Sequence, residues 1–236
     1  MKIFFNLIRK ENKMKKGYLM IMLVSLLMTC LSGVAEAEII LQPVAASTNM
    51  GEYFPIINII NQSGLSNGYT SLVTDFDSYI ASNPTAFHGV GSNVWGAPSG
   101  VRAGFIDLDL GGSYVIDKLA LWNLVDDPSA IQQFNLLVDD NSAFSSPANL
   151  GNFIASNSLG SRPDTEAQVF GLAATTASFA RLEILNTWSP SSFSVAFNEA
   201  AFGVTAVNGP VPEPTTMLLV GSGLLGLWGA RKKFKK

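Results

Sequence analysis

Residues 105–123, FIDLDLGGSYVIDKLALWN, decide how the chain is read. Ile106, Leu108 and Leu110 alternate with Asp107 and Asp109. Strict alternation makes a half-buried strand, with one face in a core and both aspartates on the other. Gly111-Gly112 follows as a turn signal, and residues 118–123 form the next strand. Working outward, the same texture recurs: short apolar runs between Gly, Ser, Asn and Pro. Strands are predicted at 39–44, 104–110, 118–123, 133–139, 168–172, 179–186 and 196–204, and 149–166 reads as loop. In 179–185, Arg181 and Glu183 fall on the outer face. No long stretch has the 3.6-residue period of a helix, and no internal repeat stands out. The expected class is an all-β sandwich or barrel.

Charge is segregated along the 236 residues. Residues 1–16 hold six Lys/Arg and the tail from Arg231 holds five. Residues 38–210 hold four (Arg102, Lys118, Arg162, Arg181) against fifteen Asp/Glu, a net of −11. A body this acidic is not built for phosphate backbones, so nucleic acid is excluded as a partner. Neutral sugars and divalent cations remain compatible. The single cysteine, Cys30, lies in the leader, so the body has no internal disulfide and depends on core packing.

Both ends read as addresses. Residues 1–16 are basic, 17–31 are apolar, and Ala35 and Ala37 supply the small residues of an A-x-A site. This is the build of a secretory signal peptide over 1–37, cleaved after Ala37. An uncleaved anchor is the rival, and Met14 is a second candidate start. At the other end Pro212-Glu213-Pro214 is stiff and non-helical. The apolar run 215–230 and a basic cluster from Arg231 follow. Sixteen residues of helix span about 24 Å, short of a hydrocarbon core of about 30 Å. Lys/Arg next to such a run stay on the cytoplasmic side, so this is a membrane stop with its tail inside.

The order Pro-Glu-Pro, glycine-laced apolar run and basic tail resembles the PEP-CTERM sorting signal of Gram-negative bacteria. The resemblance covers 208–236. It implies an exosortase-type membrane protease as a partner, anchorage in the inner membrane during sorting, and then delivery to the cell surface or extracellular matrix. An ordinary C-terminal anchor is the alternative.

The body, 38–207, carries a second resemblance. Residues 105–123 are similar to the signature of discoidin-type (coagulation factor 5/8 type C) domains. Phe134–Val138 with Asp139-Asp140-Asn141, then Ala180–Ile184, then Asn198–Phe202 follow in family order. The resemblance implies a galactose-binding-like jelly-roll β-sandwich. It also implies one structural Ca²⁺ held by Glu199, with Asp75 or Asp77 as early-loop partner. A hydrogen-bonded or edge glutamate is the other reading of Glu199. The usual Asp-Gly-Asn early loop is not plain in this chain.

For ligand binding, an aromatic platform with polar neighbours suits sugars. Trp95 and Trp188 lie beside Gly/Pro/Ser loops and are the expected platforms, with Arg102 and Arg162 as donors; Trp122, in strand alternation, is expected in the core. Catalysis would have to centre on His88, the only histidine, and 87–91 has neither a nucleophile elbow nor metal-ligand spacing. The chain is read as a non-enzyme. It is an exported module for extracellular polysaccharide or cell-surface glycan, or alternatively a structural, adhesive biofilm-matrix protein without a small ligand.

Overall fold

The computed structural model describes residues 38–88, 93–189 and 194–206. The leader, the sorting motif and the apolar segment 215–230 lie outside the described residues. The first strands are β1 (Ile39–Leu41) and β2 (Ala45–Thr48); a 3₁₀ turn (Ile56–Ile59) and helix α1 (Phe76–Ala81) follow. Then come β3 (Thr85–Phe87), β4 (Trp95–Gly96), β5 (Gly104–Asn123), β6 (Ile131–Asp139) and β7 (Ala148–Ile154). The last are β8 (Gly160–Ser161), β9 (Asp164–Glu166), β10 (Gln168–Thr187) and β11 (Ala196–Ala206).

β5 and β10 are long strands that run through two layers. The first half of β5 pairs with β2 and with the second half of β10. Its second half pairs with β11 and with the first half of β10. One layer is therefore β2-β5-β10-β6-β7 and the other β1-β11-β5-β10. This is the expected β-sandwich.

The expected turn at Gly111-Gly112 is instead a bulge inside one strand. The β5–β10 register jumps from Tyr114↔Ala177 to Asp109↔Phe179, which lets both strands bend together. Gly111 takes φ 77°, and a Cβ there would sit 2.7 Å from Val44 Cγ1, so the bend needs glycine. The separate strands expected at 168–172 and 179–186 merge for the same reason. The strand expected at 39–44 stops at Leu41 and resumes as β2 beyond Pro43, which cannot donate to a ladder. The loop expected at 149–166 holds β7, β8 and β9. β7 is an edge strand with a register shift at Leu150, so Leu150 and Phe153, which both pack on the core, fall three residues apart and lack the alternation that would mark it.

Between the layers Ile106, Leu108 and Leu110 meet Leu119, Leu121, Phe134, Leu136, Leu182, Ile184 and Phe202. The second layer is buried on its other face as well. There Ile40, Ala120, Trp122 and Ala201 pack under Tyr69, Phe76 and Tyr79, from the segment 56–88. Burial on both faces is why 119–122 reads Leu-Ala-Leu-Trp without alternation. α1 starts at Asp75, whose carboxylate accepts from Ser78 N at 2.7 Å, an N-cap bond.

Candidate functional site

Both long strands begin and end at the same end of the sandwich. The β5–β6 loop is fixed there by Asn123, whose Nδ2 donates to Ile131 O (2.8 Å) and Ser156 O (2.9 Å) and whose Oδ1 accepts from Ile131 N (2.9 Å). Trp188 follows β10. Its backbone N–H donates to Ala130 O at 3.1 Å and its indole Nε1 donates to Ala155 O at 2.9 Å. The ring is held in place and left 38% exposed. It borders an open concavity of about 580 Å³ lined by Arg102, Gln132, Leu185, Asn186 and Thr187. Ligand sites are commonly of this size. Arg102 Nη1 donates to Ser189 O at 3.4 Å.

Arg162 stands on the same loop end. Its Nη2 donates to Asp127 Oδ2 at 2.6 Å and its Nε to Val125 O at 3.2 Å. His88 Nε2 lies 3.5 Å from the same Asp127 oxygen. Pro128 O and Ala130 O, on the loop that carries Asp127, receive the backbone N–H groups of Ser189 and Trp188. The expected residues Trp188, Arg102 and Arg162 are thus gathered around one loop. Burial, reinforced by Arg162, lowers the pKa of His88 and favours its neutral form. Its Nδ1 is buried. Composition pointed to Arg162 but not to the His88–Asp127–Arg162 cluster, because His88 and Asp127 meet only through the fold.

Trp95 is a correction. It is 0% exposed, pairs with β11 opposite Phe197, and packs edge-on against that ring at 5.9 Å. The Gly/Ser-flanked sequence around it folds as a short strand instead of a loop, so its ring cannot receive a sugar. Trp122 is in the core as expected, its indole donating to Pro84 O at 2.9 Å.

Glu199 is also fully buried. A register shift between Phe197 and Glu199 turns it opposite Trp122, under the 56–88 segment. Its Oε2 accepts from Gln62 N at 3.0 Å, while Oε1 has no partner. Burial pushes this carboxyl well above the ordinary carboxylate range, against the Gln62 bond. Gln62 holds φ 60°, and its amide closes the loop: Oε1 accepts from Tyr69 N (2.8 Å), and Nε2 donates to Tyr69 O (3.1 Å) and Gln42 Oε1 (2.6 Å). Burial first, and then Glu199, hold the Tyr69 phenol protonated.

The expected partners of Glu199 are placed elsewhere. Asp75 caps α1, and Asp77 pairs with Lys118 at 2.7 Å. Among the described residues no group of three or more His, Cys, Asp or Glu gathers around a point. A cation at Glu199 Oε1 would therefore have at most one further such side chain among the described residues and would need neutral oxygens for the rest. The unpartnered Tyr69 hydroxyl is such an oxygen.

A model of the PEP-CTERM protein-sorting motif matches residues 210–233. No curated protein matches the chain in sequence. Solved structures similar to it include the family 32 carbohydrate-binding module of NanJ from C. perfringens, in complex with galactose. It is 10% identical over 70% of this chain and 98% of that one, with a TM-score of 0.47. The corresponding module of AlyQ, in complex with 4,5-unsaturated mannuronic acid, is 15% identical over 69% and 96%, at 0.46. A chitosan-binding module from a chitosanase/glucanase of Paenibacillus sp. IK-5 is 14% identical over 70% and 96%, at 0.44. Among the described residues no helix is long and apolar enough to cross a membrane.

Proposed function

We propose that this chain is an exported, non-catalytic module that binds neutral carbohydrate through the loop end of its sandwich. One observation carries the reading. Trp188 is locked by its indole N–H yet left exposed beside a concavity with guanidinium and amide groups at its edge. A flat ring supplies the stacking surface for a sugar, and Arg102, Gln132 and Asn186 supply hydrogen bonds to hydroxyls. The acidic body disfavours polyanions and leaves neutral, hydroxyl-rich polymers as the fitting class.

The sorting motif at 210–233 marks the chain for export and sorting. In the reading proposed here an exosortase-type protease acts on the Pro212-Glu213-Pro214 region, and the module is delivered to the cell surface or matrix of a Gram-negative bacterium. A calcium ion held by Glu199 would fasten the early loop to β11 and would take no part in sugar contact.

The test is a titration of the full chain with neutral oligosaccharides, followed by calorimetry. Trp188→Ala is expected to weaken binding by about 2 kcal/mol, roughly thirtyfold, with the fold retained. Undiminished binding in that variant would refute the assignment.

A further inference from the structure

Asn186, which lines the concavity at Trp188, is also the first member of a row of side chains on the outer face of the first layer. Asn186 Nδ2 donates to Gln133 Oε1 at 3.4 Å, and Gln133 Nε2 to Asn152 Oδ1 at 2.6 Å. Asn152 Nδ2 donates to Asn135 Oδ1 at 2.8 Å, and Asn135 Nδ2 to Glu183 Oε2 at 2.7 Å. Four amides on β10, β6 and β7 thus form one hydrogen-bonded ladder that faces away from the core. Beyond it Arg181 closes the row. It is paired with Asp107 through two bonds (2.5 and 2.8 Å) and lies 4.0 Å from the ring centroid of Phe105 and 4.1 Å from that of Phe144.

The chemistry of this row is unusual for a solvent-facing sheet, where charges of both signs are normally interspersed. Between Trp188 and Arg181 the charged side chain of the ladder is Glu183, and it is bonded to Asn135. Gln133, Asn135 and Asn152 each use one N–H and one oxygen lone pair within the ladder. Each amide has two of both, so each still offers one donor and one acceptor outward. A sugar hydroxyl both donates and accepts, and it matches that display. The ladder also holds the amides in place before a ligand arrives, which lowers the ordering cost of binding. From Glu183 to Trp188 the strand covers roughly 15 Å, more than one sugar ring.

We propose that the ladder is a second part of the binding surface, a track for the interior of a neutral polysaccharide chain that leads away from Trp188. The proposal rests on the reading of Trp188 as a sugar platform. It specifies an extended polymer as the ligand in place of a single terminal sugar.

The experiment measures the affinity of the full chain for soluble neutral polysaccharides (a galactan, a β-glucan and a mannan) and for the disaccharide and hexasaccharide of each. The native chain is expected to bind one hexasaccharide at least about tenfold more tightly than its disaccharide, the worth of one or two hydrogen bonds. Asn135→Ala/Asn152→Ala should remove that gain and keep the disaccharide affinity, whereas Trp188→Ala should lose both. The exposed edge-strand variant Asn152→Ala alone provides the same reading if the double variant does not fold. A hexasaccharide affinity unchanged by the ladder variants would overturn the track while leaving the Trp188 site standing. No binding by the native chain would overturn both.

Discussion

Trp122 and Trp188 are anchored alike and covered differently. Each donates its indole N–H to a backbone carbonyl at 2.9 Å, Trp122 to Pro84 and Trp188 to Ala155. Trp122 is 0% exposed because the 56–88 segment lies over its face of the sheet, with the Tyr79 ring 6.5 Å away. Among the described residues Trp188 has no such lid. A satisfied polar atom fixes where a tryptophan ring stands, and the segment above it decides whether the ring is core or platform. On the function proposed above, the covered face carries stability and the loop end carries recognition.

The largest effect should come from substituting the two rings. Trp122→Ala is expected to destabilise the chain by about 3–5 kcal/mol, since it empties a fully packed site. Trp188→Ala should cost less than about 1 kcal/mol, as most exposed substitutions do. Denaturant unfolding measures both, and equal losses would abolish the distinction.

A smaller effect probes Glu199 beneath the same cover. Glu199→Ala leaves Gln62 N–H unpaired and should cost about 1–3 kcal/mol. Glu199→Gln keeps the acceptor and should be close to native if the buried carboxyl is neutral. Calcium sharpens this. An ion held by Glu199 would raise the native stability by about 2.7 kcal/mol at a hundredfold excess over Kd and would leave the Gln variant unmoved. A native midpoint insensitive to both calcium and chelator would remove the ion from the account.

The smallest effect is a pH dependence at the edge of the covered face. Glu38 meets Lys118 at 2.5 Å, and burial together with the neighbouring Asp117 raises its pKa from 4.5 to about 7. The folded state therefore keeps a proton that the unfolded chain releases earlier. This contribution is complete below about pH 4.5, and it declines as pH rises towards about 7. Unfolding curves across that window should show native stability falling relative to Glu38→Gln. A difference that grows in the opposite direction would contradict the assignment.

Much of the sandwich was legible because alternation survives wherever only one face is buried, as in Ile106–Leu108–Leu110. The signal failed where that condition fails. At β7 a register shift breaks the alternation of an edge strand, and at Gly111-Gly112 a bulge carries the signature of a turn. The site was partly legible. Trp188, Arg102 and Arg162 were indicated by aromatic and basic residues in turn-rich sequence. That same reasoning misplaced Trp95, since flanking Gly and Ser cannot reveal that Trp95-Gly96 will pair with β11. The discoidin-type resemblance offered Asp75 or Asp77 as the partner of Glu199, whereas Asp75 caps a helix and Asp77 pairs with Lys118. The amide ladder left no local trace, because its members come from three strands.

The most direct measurement is the response of the indole N–H resonances in a ¹H–¹⁵N spectrum of the full chain as a neutral oligosaccharide is added, assigned with Trp→Phe variants. The expected result is a saturable shift of the Trp188 signal, with those of Trp95 and Trp122 unmoved. A shift centred on Trp95 or Trp122, or no shift at Trp188 while the sugar binds, would contradict a recognition site at the loop end.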